Sequence, residues 1–366
     1  MKINSVTVRD FRNLKPQTLQ FRDGINIFIG KNAQGKTNLL ESVYLCCLGK
    51  SPRSPDRDLI CRDKQSAFVK TEFQSIYGEG CVELTLSRTE PKKISVNSVR
   101  VAKVSELLGY VNAIYFSPDE MKIVKSGPVE RRRFLDIDLC QIDKAYFFSL
   151  SRFNKILEQR NKLLKTTKDK IALKEMLSVW DAQLAREAEI IVRKRTNFTD
   201  KLKEIAAQTH AFLTDEKESL ELCYLSSLQQ TDEKPLSVQY KKRLEEMFEK
   251  DFYAGFTTVG PHRDDIGFLV NGTDVRAFGS QGQQRTVALS LKLAEIEIFR
   301  KLTGDTPILL LDDVLSELDP QRQKKLISFR QDVQILITAT HLEEETVKGL
   351  TYSLFSVRDG IASPIP

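Results

Sequence analysis

The chain has 366 residues, 56 Lys and Arg against 50 Asp and Glu, a formal charge of +6, and 41% apolar residues. This balance excludes collagen-like and disordered chains, and no stretch approaches the roughly 18 consecutive apolar residues of a membrane span. The length suggests two domains, or one domain carrying a large insertion. The opening Met1-Lys2-Ile3-Asn4 has no apolar core and no small-residue cleavage site, so a signal peptide is not expected.

Gly24-Ile25-Asn26-Ile27-Phe28-Ile29 reads as a short apolar strand after an Asp23-Gly24 turn. It runs into Gly30-Lys31-Asn32-Ala33-Gln34-Gly35-Lys36-Thr37, which fits G-x-x-x-x-G-K-[ST] at every fixed position. Leu39, Leu40, Val43, Tyr44 and Cys47 then recur at helical spacing, and Gly49 is placed as a C-cap. Strand, glycine loop and helix is the order a phosphate cradle requires. Backbone N–H groups turn inward, the helix N-terminus adds partial positive charge, Lys36 reaches the terminal phosphates, and the Thr37 hydroxyl is placed for Mg²⁺.

Residues 68–115 show short alternating segments, including Val82-Leu84-Leu86 and Ile94-Val96 facing Val99-Val101 across Asn97-Ser98. An antiparallel sheet is expected there. A strand through Val111, Ala113 and Tyr115 ends at Phe116-Ser117-Pro118-Asp119. From about Asp119 to Tyr253 the pattern turns mostly helical. Residues 145–213 contain no Pro or Gly and predict two or three helices in a compact lobe, with Trp180 in its core and no sustained heptads.

Charge is unevenly placed. Residues 121–210 hold 20 basic and 12 acidic residues; the rest of the chain holds 36 and 38. The densest groups are Arg131-Arg132-Arg133, Lys162-Lys165-Lys168-Lys170 and Arg193-Lys194-Arg195. A solvated helical face is one reading; a sequence-independent track for duplex DNA phosphates is the other.

Ile266-Phe268-Val270 and Val275-Ala277 flank Asn271-Gly272, a hairpin signal. Phe278-Gly279-Ser280-Gln281-Gly282-Gln283-Gln284 then opens a long amphipathic helix, a second device suited to phosphate. Either it is an ordinary N-cap or it closes on a nucleotide held by a second copy. Ile308-Leu309-Leu310-Leu311-Asp312-Asp313 reads as a strand buried on both faces with acids at its end. Asp312 would hold Mg²⁺ and Asp313 would polarise water. Asp312 stands 276 positions beyond Lys36, so a large insertion separates the halves of the site. After Leu315-Ser316-Glu317-Leu318-Asp319, a last buried strand at Val333–Thr338 leads to His341.

The six cysteines form no C-x-x-C pair and are expected to be buried or inert thiols. His210, His262 and His341 are too scattered for zinc.

This ordered set of motifs resembles the ABC-type ATPase heads of DNA-repair and chromosome-maintenance proteins, within the SMC-like superfamily. With VRDFRNL at the start, YFSPDE, PVERRRFLD at 128–136 and GPHRDDI at 260–266, it is most similar to the RecF family of bacterial recombination mediators. The resemblance implies an α/β ABC-ATPase head with a mixed sheet, an inserted mostly helical lobe and no long coiled coil. Its divisions would be an N-terminal ATPase part at 1–116, the insertion at 117–255 and a C-terminal ATPase part at 256–366. It also implies ATP and Mg²⁺ at Gly30–Thr37 and Asp312, with Asp313 and His341 catalytic.

By the same resemblance, Ser280, Gln281, Gly282 and Gln283 act in trans in an ATP-driven homodimer, and Asp319 communicates across it. Arg12 and Asn13 would contact the nucleoside, and Arg131, Arg132 and Arg133 would contact DNA. The implied task is binding duplex DNA near single-strand gaps and, with a RecR-type partner, promoting RecA loading, with slow hydrolysis for release. The protein would be cytoplasmic and nucleoid-associated, with no membrane partner. Asp313 stands where many such ATPases have Glu, and no Q-loop glutamine is assignable. The alternative is the ATPase subunit of an ABC transporter, against which the basic insertion and the Asp-Asp pair argue.

Overall fold

The computed structural model describes residues 1–120, 122–228, 235–329 and 332–365. In chain order, β1 (Lys2–Arg9), β2 (Gln17–Gln20) and β3 (Ile25–Ile29) precede α1 (Lys36–Leu48). Then come β4 (Ser66–Ser75), β5 (Gly78–Ser87), β6 (Lys93–Val96), β7 (Val99–Val101), α2 (Val104–Leu107) and β8 (Ala113–Phe116). The mostly helical stretch comprises α3 (Lys122–Lys125), α4 (Pro128–Ile142), α5 (Lys144–Thr166), α6 (Lys170–Thr214), β9 (Leu220–Leu225), α7 (Leu236–Glu246) and α8 (Phe248–Ala254). It is followed by β10 (Asp265–Val270), β11 (Thr273–Asp274), α9 (Val275–Phe278) and α10 (Gln281–Thr303). The chain closes with β12 (Ile308–Asp312), α11 (Pro320–Ser328), β13 (Ile335–Ala339), α12 (Glu344–Val347), β14 (Tyr352–Arg358) and β15 (Ile361–Ile365).

Two compact units result. The first is Met1–Lys122, Thr209–Lys217 and Arg285–Pro366; the second is Ile123–Gln208 and Glu218–Gln284. This division differs from the expected three segments. Residues 256–284 group with the insertion because β10 pairs antiparallel with β9, Phe268 opposite Leu222.

The first unit holds two sheets. One is antiparallel in the order β2-β1-β4-β5-β6-β7, as the alternating segments predict. Asn97 and Ser98 take positive φ of 50° and 64° in its last hairpin, the twist a two-residue turn requires. The other sheet runs β15-β14-β3-β13-β12-β8, with β14, β3, β13, β12 and β8 joined by parallel pairings. All five residues of β12 and of β13 are buried, which accounts for their unbroken apolar runs.

The stretch 145–213 forms α5 and most of α6, in the second unit as far as Gln208. The 45 residues of α6 extend about 67 Å at 1.5 Å per residue, and from Thr209 onward they belong to the first unit. Leu173 and Leu177 pack with Leu164 as a buried cluster, against Leu163, Phe248 and Phe252. Trp180 is half-buried and not the core residue expected. Buried arginines supply much of the polar framework. Arg160 donates to Asp181 at 2.6 Å and Asp251 at 2.7 Å, and Arg195 donates to Asp136 and to the Pro261 carbonyl. Arg195 is thus structural, contrary to its place in an apparent surface cluster.

The hairpin at Asn271-Gly272 forms, with φ of 50° and 77°, but its return strand lasts two residues. Asp274 caps α9 by accepting from Arg276 N, so Val275–Ala277 is helix and not strand. All six cysteines are free. Burial pushes the Cys46 thiol up to about 12 and Cys47 well above its ordinary value, making both inert, whereas Cys223 is exposed and departs from the expectation.

Candidate functional site

The glycine loop lies between β3 and α1, where the sequence places it. Its conformation is enforced at Gly30 and Gly35. A Cβ on Gly30 would sit 2.3 Å from the Val357 carbonyl oxygen, and Gly35 has φ of +111°, a conformation side chains resist. Gly49 closes α1 in the left-handed conformation, its N–H donating to Leu45 O. Lys36 is buried and donates to the carbonyls of Gly30 and Lys31 at 2.5 and 2.9 Å. Burial draws its pKa down, against the opposing charges of Asp313 and Asp312. Its ammonium is therefore held inside the loop, where an anion would replace the carbonyls. Lys31, Asn32 and Ala33 are exposed at the rim, and Gln34 accepts from Asp359 N at 2.6 Å, tying the loop to the β14–β15 turn.

Parallel pairing of β12 with β13 sets Asp312 opposite Thr338. Asp312 Oδ1 accepts from Thr37 Oγ1 and from Thr338 Oγ1, each at 2.8 Å. The other oxygen, Oδ2, accepts from the Tyr115 hydroxyl at 2.7 Å. Burial, and then the Asp312 charge, pushes the Tyr115 phenol far above its usual range, so it remains a donor. The two motifs separated by the insertion thus meet through one hydrogen bond.

Asp313 follows with φ of 55°, and its N–H donates to Thr338 O and Oγ1. This unusual backbone turns its side chain away from the strand alternation. Burial and the charges of Asp312 and Glu317 raise its carboxyl above the ordinary range, against the pull of Lys36 and His341. Asp313, Ser316 and His341 line a cavity of about 30 Å³, room for about one water. Asp319 caps α11, accepting from Arg322 N at 3.0 Å.

Arg12 and Asn13 also border the loop. Asn13 donates to Ala33 O, and Arg12 donates to both oxygens of Glu41 and to Ser54. Glu41, fully buried on α1, also accepts from Arg53 and Ser51. Burial would raise its pKa, but these donors together hold it below the usual carboxylate range.

Sequence reasoning missed Glu41, Tyr115 and Thr338. An acid among the apolar positions Leu40, Val43 and Tyr44 was a legible signal for Glu41; the other two stand in apolar strands and gave none.

The chain aligns along its whole length with proteins of one name. The DNA replication and repair protein RecF of Clostridium kluyveri is 43% identical over 367 residues, covering 100% of both chains. This chain belongs to the RecF family. The corresponding RecF of Lachnoclostridium phytofermentans is 42% identical over 345 residues, 94% of each chain. A family model described as an AAA domain matches residues 5–252. A solved structure of the recombination mediator RecF with ATP, from the RecFOR pathway, is 36% identical with a TM-score of 0.90, covering 100% of this chain and 97% of that one. An SMC head bound to the C-terminal winged-helix domain of ScpA shares the fold, with a TM-score of 0.58 at 16% identity over 100% of this chain and 97% of that one. The α/β head fold expected for the family is therefore present.

The remaining expected residues lie in the second unit. Ser280 opens α10 in a reciprocal cap: its Oγ accepts from Gln283 N at 3.2 Å while Gln283 Oε1 accepts from Ser280 N at 3.0 Å. Ser280, Gln281 and Gly282 are exposed. The three arginines of the cluster differ in exposure: Arg131 is buried, Arg132 half-buried and Arg133 exposed. Arg131 is buried and donates to both oxygens of Asp265 and to the Ser126 carbonyl. Arg132 donates to Asp264 O at 2.6 Å, and Arg133 lies 3.5 Å from Glu130. The Arg131 charge is thus spent on Asp265 inside the fold.

Proposed function

We propose that this chain is an ATP-dependent DNA-binding protein of recombinational repair and replication. The observation that carries the reading is the closed Thr37–Asp312 pair beneath a glycine loop containing buried Lys36, in a chain of RecF kinship. Lys36 and the loop N–H groups bind the nucleotide phosphates, and the Arg12–Glu41 group braces α1 beside the nucleoside.

Thr37 Oγ1 and the Asp312 carboxylate are hard oxygen donors suited to Mg²⁺. Among the described residues no cluster of three or more His, Cys, Asp or Glu could hold a metal, so phosphate oxygens and water complete the shell, as Mg²⁺ prefers. Magnesium, when bound, neutralises charge on the phosphates. Asp313 orients a water in the cavity it shares with His341, and its short carboxylate makes hydrolysis slow.

Two copies close around the nucleotide, with Ser280, Gln281, Gly282 and Gln283 of one facing the phosphates of the other and Asp319 at the seam. Support comes from Gly282, whose missing Cβ would meet nothing nearer than Ser280 Oγ at 3.8 Å. The chain's own packing does not require glycine there, whereas approach by a second copy would. The ATP-bound dimer grips duplex DNA near single-strand gaps, cooperates with a RecR-type partner to promote RecA loading, and is released by hydrolysis. Among the described residues no helix is long and apolar enough to cross a membrane.

Lys36→Ala tests the nucleotide site. Each lost hydrogen bond to a charged group is worth about 1.5–3 kcal/mol, so ATP affinity should fall about tenfold or more in a fluorescence titration. Unchanged affinity would refute the site.

A further inference from the structure

We propose that the exposed face of α5 is the track that carries DNA phosphates; this rests on the DNA-binding reading above. Phe148, Arg152, Lys155, Gln159, Lys162 and Thr166 recur at alternating steps of four and three, which places them on one face of the helix. All six are exposed. The line from Phe148 to Lys162 runs about 21 Å at 1.5 Å per residue. The six positions hold no carboxylate; exposed Glu158 stands three residues after Lys155 and four before Lys162, beside both, and pairs with neither among the described residues.

The cations on this line differ in how the fold uses them. Arg152 is fixed by Glu187, at 2.7 and 3.2 Å. Lys155 and Lys162 make no ion pair among the described residues. This is the reverse of Arg131, whose charge is spent on Asp265. Two lysines free of ion pairs, about 10 Å apart along one helix, with Gln159 between them, form a row of phosphate hydrogen-bond donors; the Thr166 hydroxyl beyond them is spent on Lys162 O at 2.9 Å.

The chemistry favours a nucleic-acid backbone over a protein partner. Protein interfaces bury an apolar, aromatic-rich centre with few charges, whereas on this line the apolar side chain, Phe148, stands at one end with its ring edge-on to Phe147 at 5.9 Å. Lys, Arg, Gln and Thr are the side chains that contact phosphate oxygens and fix register without reading bases. A duplex presents one charge per roughly 1.7 Å of axis, so a 21 Å track meets phosphates along its whole length whatever the sequence.

The test is the salt dependence of binding to a labelled duplex, with ATP and Mg²⁺, for the wild type and a Lys155→Ala/Lys162→Ala double variant. Each phosphate contact contributes about 0.9 to the slope of log K against log salt. The double variant should therefore bind more weakly at low salt, with a slope shallower by about 1.8 between about 50 and about 200 mM. Lys155→Glu/Lys162→Glu should weaken binding further. ATP affinity and ATP-dependent dimer mass, measured on the same preparations, should be unchanged, because neither lysine contributes to folding contacts or to the nucleotide site. A wild-type slope and affinity in the double variant would overturn the proposal, as would intact DNA binding with loss of an acidic protein partner. A wild type that binds duplex under no nucleotide condition would instead refute the DNA-binding reading itself, and the track with it.

Discussion

Tyr115→Phe removes one oxygen atom from the centre of the proposed nucleotide site and leaves the ring in place. The ring packs against Tyr44 with centroids 5.3 Å apart, so the substitution opens no large void. What it deletes is the 2.7 Å hydrogen bond to Asp312 Oδ2. That carboxylate keeps its two threonine donors on Oδ1 but loses the donor that fixes its rotation. A hydrogen bond to a charged group contributes about 1.5–3 kcal/mol, roughly a tenfold to hundredfold change in an equilibrium that needs the carboxylate ionised and oriented.

The equilibrium to measure is ATP binding with Mg²⁺ and with EDTA. Tyr115→Phe should lower affinity about tenfold or more in Mg²⁺ and leave the EDTA value near that of the wild type. In an Asp312→Asn background the same substitution should have a much smaller effect, because interacting residues are non-additive. An equal loss with and without Mg²⁺, or an undiminished effect in the Asp312→Asn background, would show that Tyr115 acts on the fold and not through Asp312.

Two further outcomes follow from the geometry. Ser280→Arg should leave ATP binding by the monomer intact and abolish the ATP-dependent increase in mass seen by light scattering; an unchanged dimer would count against action in trans. Burial pushes the His262 imidazole down to about 4, with its Nε2 3.0 Å from Thr257 O and its Nδ1 without a partner among the described residues. The unfolded chain takes up that proton near 6.5 and the native ring does not, so stability falls as pH drops from about 6.5 toward about 4, by about 2 kcal/mol at pH 5. Thermal midpoints between pH 7 and pH 5 should decline less steeply in His262→Gln than in the wild type; parallel declines would remove His262 as the cause.

How much of this was legible depended on whether the chemistry is local. Strand, glycine loop and helix occupy consecutive residues, so backbone geometry alone places Lys36 and Thr37. The unbroken apolar run before Asp312 marks a doubly buried strand, and that suffices to aim it at the loop 276 positions earlier. Tyr115 could not be read this way. Its role depends on β8 pairing parallel with β12, Leu310 beside Tyr115, and pairing partners are not written in a strand's own residues.

The arginines failed for the same reason. Arg131 and Arg195 look like surface charge because their acids, Asp265 and Asp136, stand 134 and 59 positions away. Local charge density cannot distinguish a solvated guanidinium from one neutralised across the fold. At Val275 the alternation suggested a strand, but Asp274 supplied a helix cap, and the local hydrogen bond overrode the pattern.

In the proposed mechanism, nucleotide occupancy at Lys36, Thr37 and Asp312 governs association of two copies and, through it, DNA binding. Sedimentation of the wild type with ATP, with ADP and without nucleotide, each with and without duplex DNA, tests it directly. A dimer is expected with ATP, monomers with ADP or no nucleotide, and DNA co-sedimenting with the dimer. A monomer that binds ATP and duplex DNA together, without associating, would contradict it.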